Sequence, residues 1–192
     1  CTMNGKIARS GLFDRVWVYP AAHDAGTSVG AALFGYHRLL GQPRAVKPHA
    51  QVYLGPAHPE SAIDDALKEF GPSIEHSRPP ELCEEVARAI AAGKVVGWYQ
   101  GRMEWGPRAL GNRSILADAR RDDMKDVVNH AVKLREGFRP FAPACLASEA
   151  SKWFDMTGLK ESPYMLFIMQ VAADKKGQIP AVTHVDGSAR VQ

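Results

Sequence analysis

Hydrophobic residues recur at helical spacing in several stretches of the chain. After Gly26, the positions Val29, Leu33, Tyr36 and Leu40 lie on one helical face, and Gly41 and Pro43 close the helix. A second helix starts near Ser61 and carries Ile63, Ala66, Leu67 and Phe70 on one side. A third runs from Pro80 to Gly93 with Leu82, Val86, Ala89 and Ile90 as its apolar stripe. A fourth, capped by Asp122, presents Met124, Val127, Val128, Ala131 and Val132. A fifth begins at Ser148 and contains Trp153 and Phe154. Short apolar runs bounded by turn formers predict strands at 15–19, 94–99, 114–117 and 164–171, with further short candidates at 51–54 and 181–184. Residues 175–177 and the Asp186-Gly187-Ser188 triplet read as turns.

Strands and helices alternate, so the pattern predicts an α/β protein. The prolines Pro43, Pro48, Pro56, Pro59, Pro72 and Pro79, followed by Pro80, mark a connecting region that one helix interrupts. Composition changes this picture little. The chain has 192 residues, 45% hydrophobic and 23% charged, which suits an ordinary globular protein. No apolar run is long enough to span a bilayer. Cys1, Cys83 and Cys145 are odd in number and form no CxxC pair, which argues against a disulfide framework and for a reducing, cytoplasmic setting. The chain opens on Cys1 and closes on Val191-Gln192, so we read it as a piece of a longer protein.

Charge changes the picture more. The stretch 101–143 holds nine Lys or Arg and six acids, an excess equal to the formal +3 of the whole chain. Its arginines sit beside glycine and proline: Arg108 follows Gly-Pro, Arg113 lies in Gly-Asn-Arg-Ser, and Arg139 stands between Phe138 and Pro140. Arginines fixed by tight backbone suit bidentate grips on phosphate or carboxylate oxygens. Three readings follow: a solvated ion-pair network with Glu104, Asp118 and Glu136; an RNA-binding face with Trp98, Tyr99 and Trp105; and a small-molecule phosphate pocket. The turn-rich setting favours the pocket. Neither a P-loop nor a dinucleotide fingerprint is present. Asp24 lies at a strand-to-helix turn and reads first as a helix cap, with metal binding as the alternative. His49, His58 and His76 read as solvated loop residues.

The segments GWYQGRMEWGPRALGNRSILADAR, VKLREGFRPFAP and THVDGSARVQ, with PAAHDAGTSVGAAL near the start, resemble the O-carbamoyltransferase family. The nodulation-factor and tobramycin carbamoyltransferases belong to that family. The resemblance implies a remnant of a Kae1-like, ASKHA-type domain over 1–41, a linker over 42–78, and a truncated YrdC-like twisted mixed sheet with flanking helices over 79–192. It further implies carbamoyl-adenylate formation from carbamoyl phosphate and ATP, with Mg2+, followed by transfer to a sugar-type hydroxyl at an iron site. A nodulation-factor oligosaccharide is the favoured acceptor. Lys133, Arg108 and Arg113 match the positions implied for catalysis. Those three, with Arg135, Arg139, Ser188 and Arg190, match the nucleotide and carbamoyl pocket. Asp24 matches a metal ligand, although the family's histidine ligands are absent from this chain. The resemblance implies no membrane and no nucleic acid partner. The alternatives are a threonylcarbamoyl-adenylate enzyme of tRNA modification and a noncatalytic RNA-binding module.

Overall fold

The computed structural model describes residues 1–45, 51–156 and 158–192; Pro48 and His49 of the connecting region lie outside the described residues. The protein is a mixed α/β structure with small sheets. Its contacts divide it into two compact units. One comprises 1–18, 83–97 and 115–192; the other comprises 19–82 and 98–114.

In the first unit, helix α1 (Thr2–Arg9) was not legible as a helix from spacing. Helix α4 (Leu82–Ala91) follows the predicted stripe, with Val86, Ala89 and Ile90 half-buried. Helix α5 (Met124–Val127) continues as a π-helical turn, Val128–Lys133, and buries Met124, Val128 and Asn129. The N-cap of α5 is Asp123 rather than Asp122, and its carboxylate is held by Arg121 at 2.7 Å instead of capping the helix. Helix α6 (Ala150–Trp153) is shorter than predicted, because Phe154 turns into an extended strand.

A three-stranded antiparallel sheet follows, ordered β3 (Phe154–Asp155), β4 (Met169–Val171) and β5 (Ser188–Ala189). Its register pairs Phe154 with Val171 and Met169 with Ala189. These side chains join Leu166, Phe167, Ile179, Val182 and Val191 in the main core. A second cluster forms around Met124, Val128 and Ala181, and Phe141 packs against both.

Three predicted strands differ in the structure. At 15–19 the backbone is not laddered; Val16 and Val18 pack on the core instead. At 181–184 a 3-10 turn, Pro180–Val182, replaces the strand, since Pro180 has no N–H to give a ladder. In the 164–171 run only β4 is strand, for Met165 turns the backbone at φ +52°. The carbonyls upstream of β4 are taken by α1. Cys1 Sγ donates to Met165 O at 3.2 Å, Asn4 Nδ2 to Leu166 O at 2.8 Å and Arg9 Nη1 to Ile168 O at 3.0 Å. Gly5 makes this approach possible, because a Cβ there would stand 2.4 Å from Ile168 O. Gly5→Ala is therefore expected to destabilise the protein by about 1–3 kcal/mol despite alanine's better helix propensity. A urea unfolding midpoint at or above that of the wild type would contradict this.

In the second unit, helix α2 (Asp24–Phe34) runs into a π-helical turn, Gly35–Leu39, and α3 (Glu60–Phe70) forms where predicted, with Ile63 and Leu67 half-buried but Ala66 and Phe70 exposed. The predicted core face of α2 is exposed: Leu33 is 53% and Leu40 68% accessible. The 51–54 candidate strand is extended but forms no regular strand; its contacts are single bonds, with Trp105 N donating to Val52 O at 2.7 Å and Gly55 N to Met103 O at 2.9 Å. Strands β1 (Val96–Tyr99) and β2 (Arg113–Leu116) pair in a two-stranded sheet, as predicted from their apolar runs. Among the described residues no helix is long and apolar enough to cross a membrane.

Candidate functional site

Two candidate residues of the first unit, Arg135 and Arg139, are held by a side chain that the sequence did not single out. Asn129 is completely buried, at 0% exposure. Its Nδ2 donates to Arg139 O at 3.1 Å and to Gly137 O at 3.4 Å, and its Oδ1 accepts from Arg135 Nε at 2.7 Å. One amide thus pins the whole 135–139 loop. The chain reverses just before it at Leu134, which adopts left-handed backbone (φ +47°, ψ +51°) and sends its N–H back to Asn129 O. A non-glycine residue there costs roughly 1–2 kcal/mol, so the surrounding bonds must impose it.

Lys133 ends the π-helical turn and is exposed. Arg135 stacks over Phe141, 4.7 Å from the ring centroid, and commits Nε to Asn129. Its two Nη groups carry the other four donors. Arg139 Nε meets Glu136 Oε2 at 2.9 Å, an ion pair with both side chains more than half exposed. Such a pair is worth little, and a doubly charged phosphate can compete with it. The Glu136 carboxyl is held below its usual range by its own backbone N–H and by Arg139. His130, Leu134, Arg135 and Glu136 line an open depression of about 400 Å³.

Ser188 and Arg190 lie on and just after β5. The Ser188 hydroxyl donates to Asp186 Oδ1 at 2.5 Å, and Ser188 N donates to the same oxygen at 3.0 Å. These two bonds, hydroxyl first, hold the Asp186 carboxyl low. Gly187, at φ +75°, provides the tight turn that the sequence predicted. Ser188 is buried, at 3% exposure.

Arg108 and Arg113 belong to the second unit. Arg108 sits in a loop bracketed by Gly106 (φ +124°) and Gly111 (φ +114°), backbone that only glycine enters readily, and Arg113 follows that loop as the first residue of β2. Arg113 is turned inward. Its guanidinium donates to Gln100 O at 2.7 Å, Asn112 O at 2.6 Å and Gly101 O at 3.1 Å, and lies 3.6 Å over the Tyr99 ring. Beneath the loop, Glu104 Oε1 accepts from the amides of Leu110, Asn112 and Arg113. Burial pushes the Glu104 carboxyl up, but these backbone bonds together bring it below its usual value.

Asp24 is the first residue of α2, and the cap is His23, whose Nδ1 accepts from Ala25 N at 3.3 Å. The cap expected at Asp24 is therefore its neighbour's. Among the described residues no group of three His, Cys, Asp or Glu side chains converges on a point that could hold a metal. This donor set does not fit iron, which needs several protein ligands.

The first unit also has a cavity of about 530 Å³ between α5, α6 and the loop at 141–146, lined mainly by Ile115, Met124, Phe141, Leu146, Trp153 and Val182. None of the candidate arginines lines it. Asp118 lies at its rim, where the bidentate Arg120 guanidinium, at 2.7–3.2 Å, holds its carboxyl down at about 2. Burial pushes the Cys145 thiol in its wall up.

Comparison with known proteins agrees with this arrangement of motifs. Residues 87–192 match the family description "Carbamoyltransferase C-terminus", and residues 1–33 match "Carbamoyltransferase N-terminus". The whole chain is 47% identical to nodulation protein NolNO of Sinorhizobium fredii, covering 28% of it, and 45% identical to nodulation protein NolO of Bradyrhizobium diazoefficiens, covering 35%. It is 37% identical to the 3'-hydroxymethylcephem-O-carbamoyltransferase of Streptomyces clavuligerus, covering 34%. The chain spans roughly a third of the length of the curated relatives it matches. Both matched regions and the full-length similarity place it in one group: the chain belongs to the carbamoyltransferase family.

Proposed function

We propose that this chain supplies the nucleotide-handling part of an O-carbamoyltransferase, activating a carbamoyl group as carbamoyl-adenylate. The observation that carries the reading is the Asn129-pinned loop, which follows Lys133, bears Arg135 and Arg139, and places Arg135 in the wall of an open depression. Several cationic side chains of fixed geometry suit a triphosphate better than they suit a neutral ligand. On family resemblance Arg108, Ser188 and Arg190 are each assigned to nucleotide and carbamoyl binding, and Arg113 to the backbone beside Arg108. On this reading 79–192 is the YrdC-like part and 1–41 the remnant of a Kae1-like part.

The reaction joins a carbamate oxygen to the α-phosphorus of ATP while the α–β phosphoanhydride bond breaks. Starting from carbamoyl phosphate, balance requires one water, one orthophosphate and one pyrophosphate per adenylate. Negative charge builds on the α-phosphate and the leaving pyrophosphate. Lys133 is a compact point charge for the former, and Arg135 and Arg139 are planar forks for the latter. Mg2+ would accompany the ATP phosphates. Because Asp24 lacks companion ligands among the described residues, no step is assigned to iron.

The relatives' names frame the acceptor. Two are nodulation proteins, and one is named for a hydroxymethyl group on a cephem. The shared chemistry is carbamoylation of a hydroxyl, and we favour a nodulation-factor oligosaccharide as the hydroxyl's bearer. The test is to incubate the full-length protein with ATP and carbamoyl phosphate and to measure both phosphate products with and without chito-oligosaccharide acceptors. Equal release of orthophosphate and pyrophosphate, dependent on both substrates, is expected. ATP consumption that yields ADP would overturn the adenylate reading.

A further inference from the structure

We propose that Glu104 is a positioning residue, fixing the loop that carries Arg108 through three backbone hydrogen bonds to one carboxylate oxygen. The proposal rests on the reading above, in which Arg108 serves the phosphates. Its geometry lies wholly within the second unit. Glu104 Oε1 accepts from Leu110 N at 2.8 Å, Asn112 N at 2.7 Å and Arg113 N at 3.2 Å. Amides from one short stretch that converge on an oxygen form an anion-binding concavity, and here the protein fills it with its own side chain.

The other bonds of the loop brace the same residues. Tyr53 Oη donates to Leu110 O at 2.9 Å, so this buried residue is held at both its N–H and its carbonyl. Gln100 Nε2 donates to Gly111 O at 3.0 Å, and Gly111 N donates to Ser114 Oγ at 3.0 Å. Asn112 Nδ2 reaches Arg102 O at 2.7 Å. Glu104 engages three loop residues at once. The left-handed glycines at 106 and 111 would otherwise leave Arg108 on backbone with many accessible conformations. Fixing it beforehand removes an ordering cost at the moment of ligand binding.

The variants separate reach from charge. Glu104→Gln keeps the length and one acceptor oxygen while losing the charge; Glu104→Asp keeps the charge and draws the oxygen back by one methylene. A positioning role ranks Gln above Asp. Hydrogen exchange of the peptide spanning 106–114 in the full-length protein should rise about tenfold or more in Asp and less in Gln, with exchange over 128–139 unchanged. The KM for ATP in pyrophosphate release should rise in the same order, while the KM for the hydroxyl acceptor stays constant. Asp ranking above Gln in both readouts, or wild-type exchange in both variants, would overturn the proposal. If the wild type releases no pyrophosphate, the functional reading fails, and the exchange ranking alone decides the role of Glu104.

Discussion

Asn129→Leu is expected to destabilise the first unit by about 2–4 kcal/mol. Leucine keeps asparagine's branching, and its bulkier methyl groups add a modest overpacking cost at this fully buried site, so packing is the smaller part of the effect. The loss is polar. Without the amide, the carbonyls of Gly137 and Arg139 and the Nε of Arg135 lose the bonds that close the loop. Each buried polar group left unsatisfied costs about 1–3 kcal/mol, and partial access of water to the loop keeps the total below the sum. Asn129→Asp is a sharper variant still. It keeps an acceptor for Arg135 but sets a carboxylate oxygen against two carbonyl oxygens. Urea unfolding followed by far-UV circular dichroism reads both. A midpoint within error of the wild type for Asn129→Leu would show that the loop holds itself.

Lys133→Met should slow carbamoyl-adenylate formation by about 100-fold while changing ATP affinity by no more than about threefold. Methionine keeps most of the stem and removes the charge. Lys133 ends the π-helical turn with its ammonium-bearing side chain exposed, immediately before the left-handed Leu134, which lines the depression with Arg135. If that ammonium meets charge that grows on the α-phosphate, its removal falls on the transition state more than on bound ATP. Lys133→Arg should fall between, because the charge remains but a planar fork needs more room. Pyrophosphate release measured beside an ATP titration separates the two effects. Full turnover in the methionine variant would remove Lys133 from the mechanism and with it much of the case for this loop.

The helices were legible because their apolar residues keep a period that few other structures share. Helices α3 and α4 appear where their spacing put them, whereas of the α5 stripe only Met124 and Val128 are buried and Val127, Ala131 and Val132 are exposed. Helix α1 was not legible, since TMNGKIAR has no apolar stripe and is held by polar side chains that reach distant carbonyls. The 164–171 run reads as one strand because all its residues suit a strand; the left-handed turn falls on Met165, a residue type that gives no warning of it. The candidate site divides in the same way. Glycine and proline beside arginine marked both loops correctly as fixed backbone. They did not reveal that the Arg113 guanidinium faces three backbone carbonyls, those of Gln100, Gly101 and Asn112. Asn129 left only a faint signal, an amide between Val128 and His130 among polar and apolar neighbours alike. Glu104 left none, because its role depends on where three amides point.

The clasp between α1 and the segment upstream of β4 has a consequence for biosynthesis. Asn4 and Leu166 are 162 residues apart in sequence, and Arg9 and Ile168 are 159 apart. A ribosome adding about 5–20 residues per second separates the emergence of Asn4 and Leu166 by about 8–30 s. Throughout that interval the nascent helix has none of the carbonyls that hold it, and eight residues are too few to stay helical alone. Residues 2–9 therefore gain these bonds only late in the synthesis of the unit, and a chaperone that shields nascent chains has a long window over them.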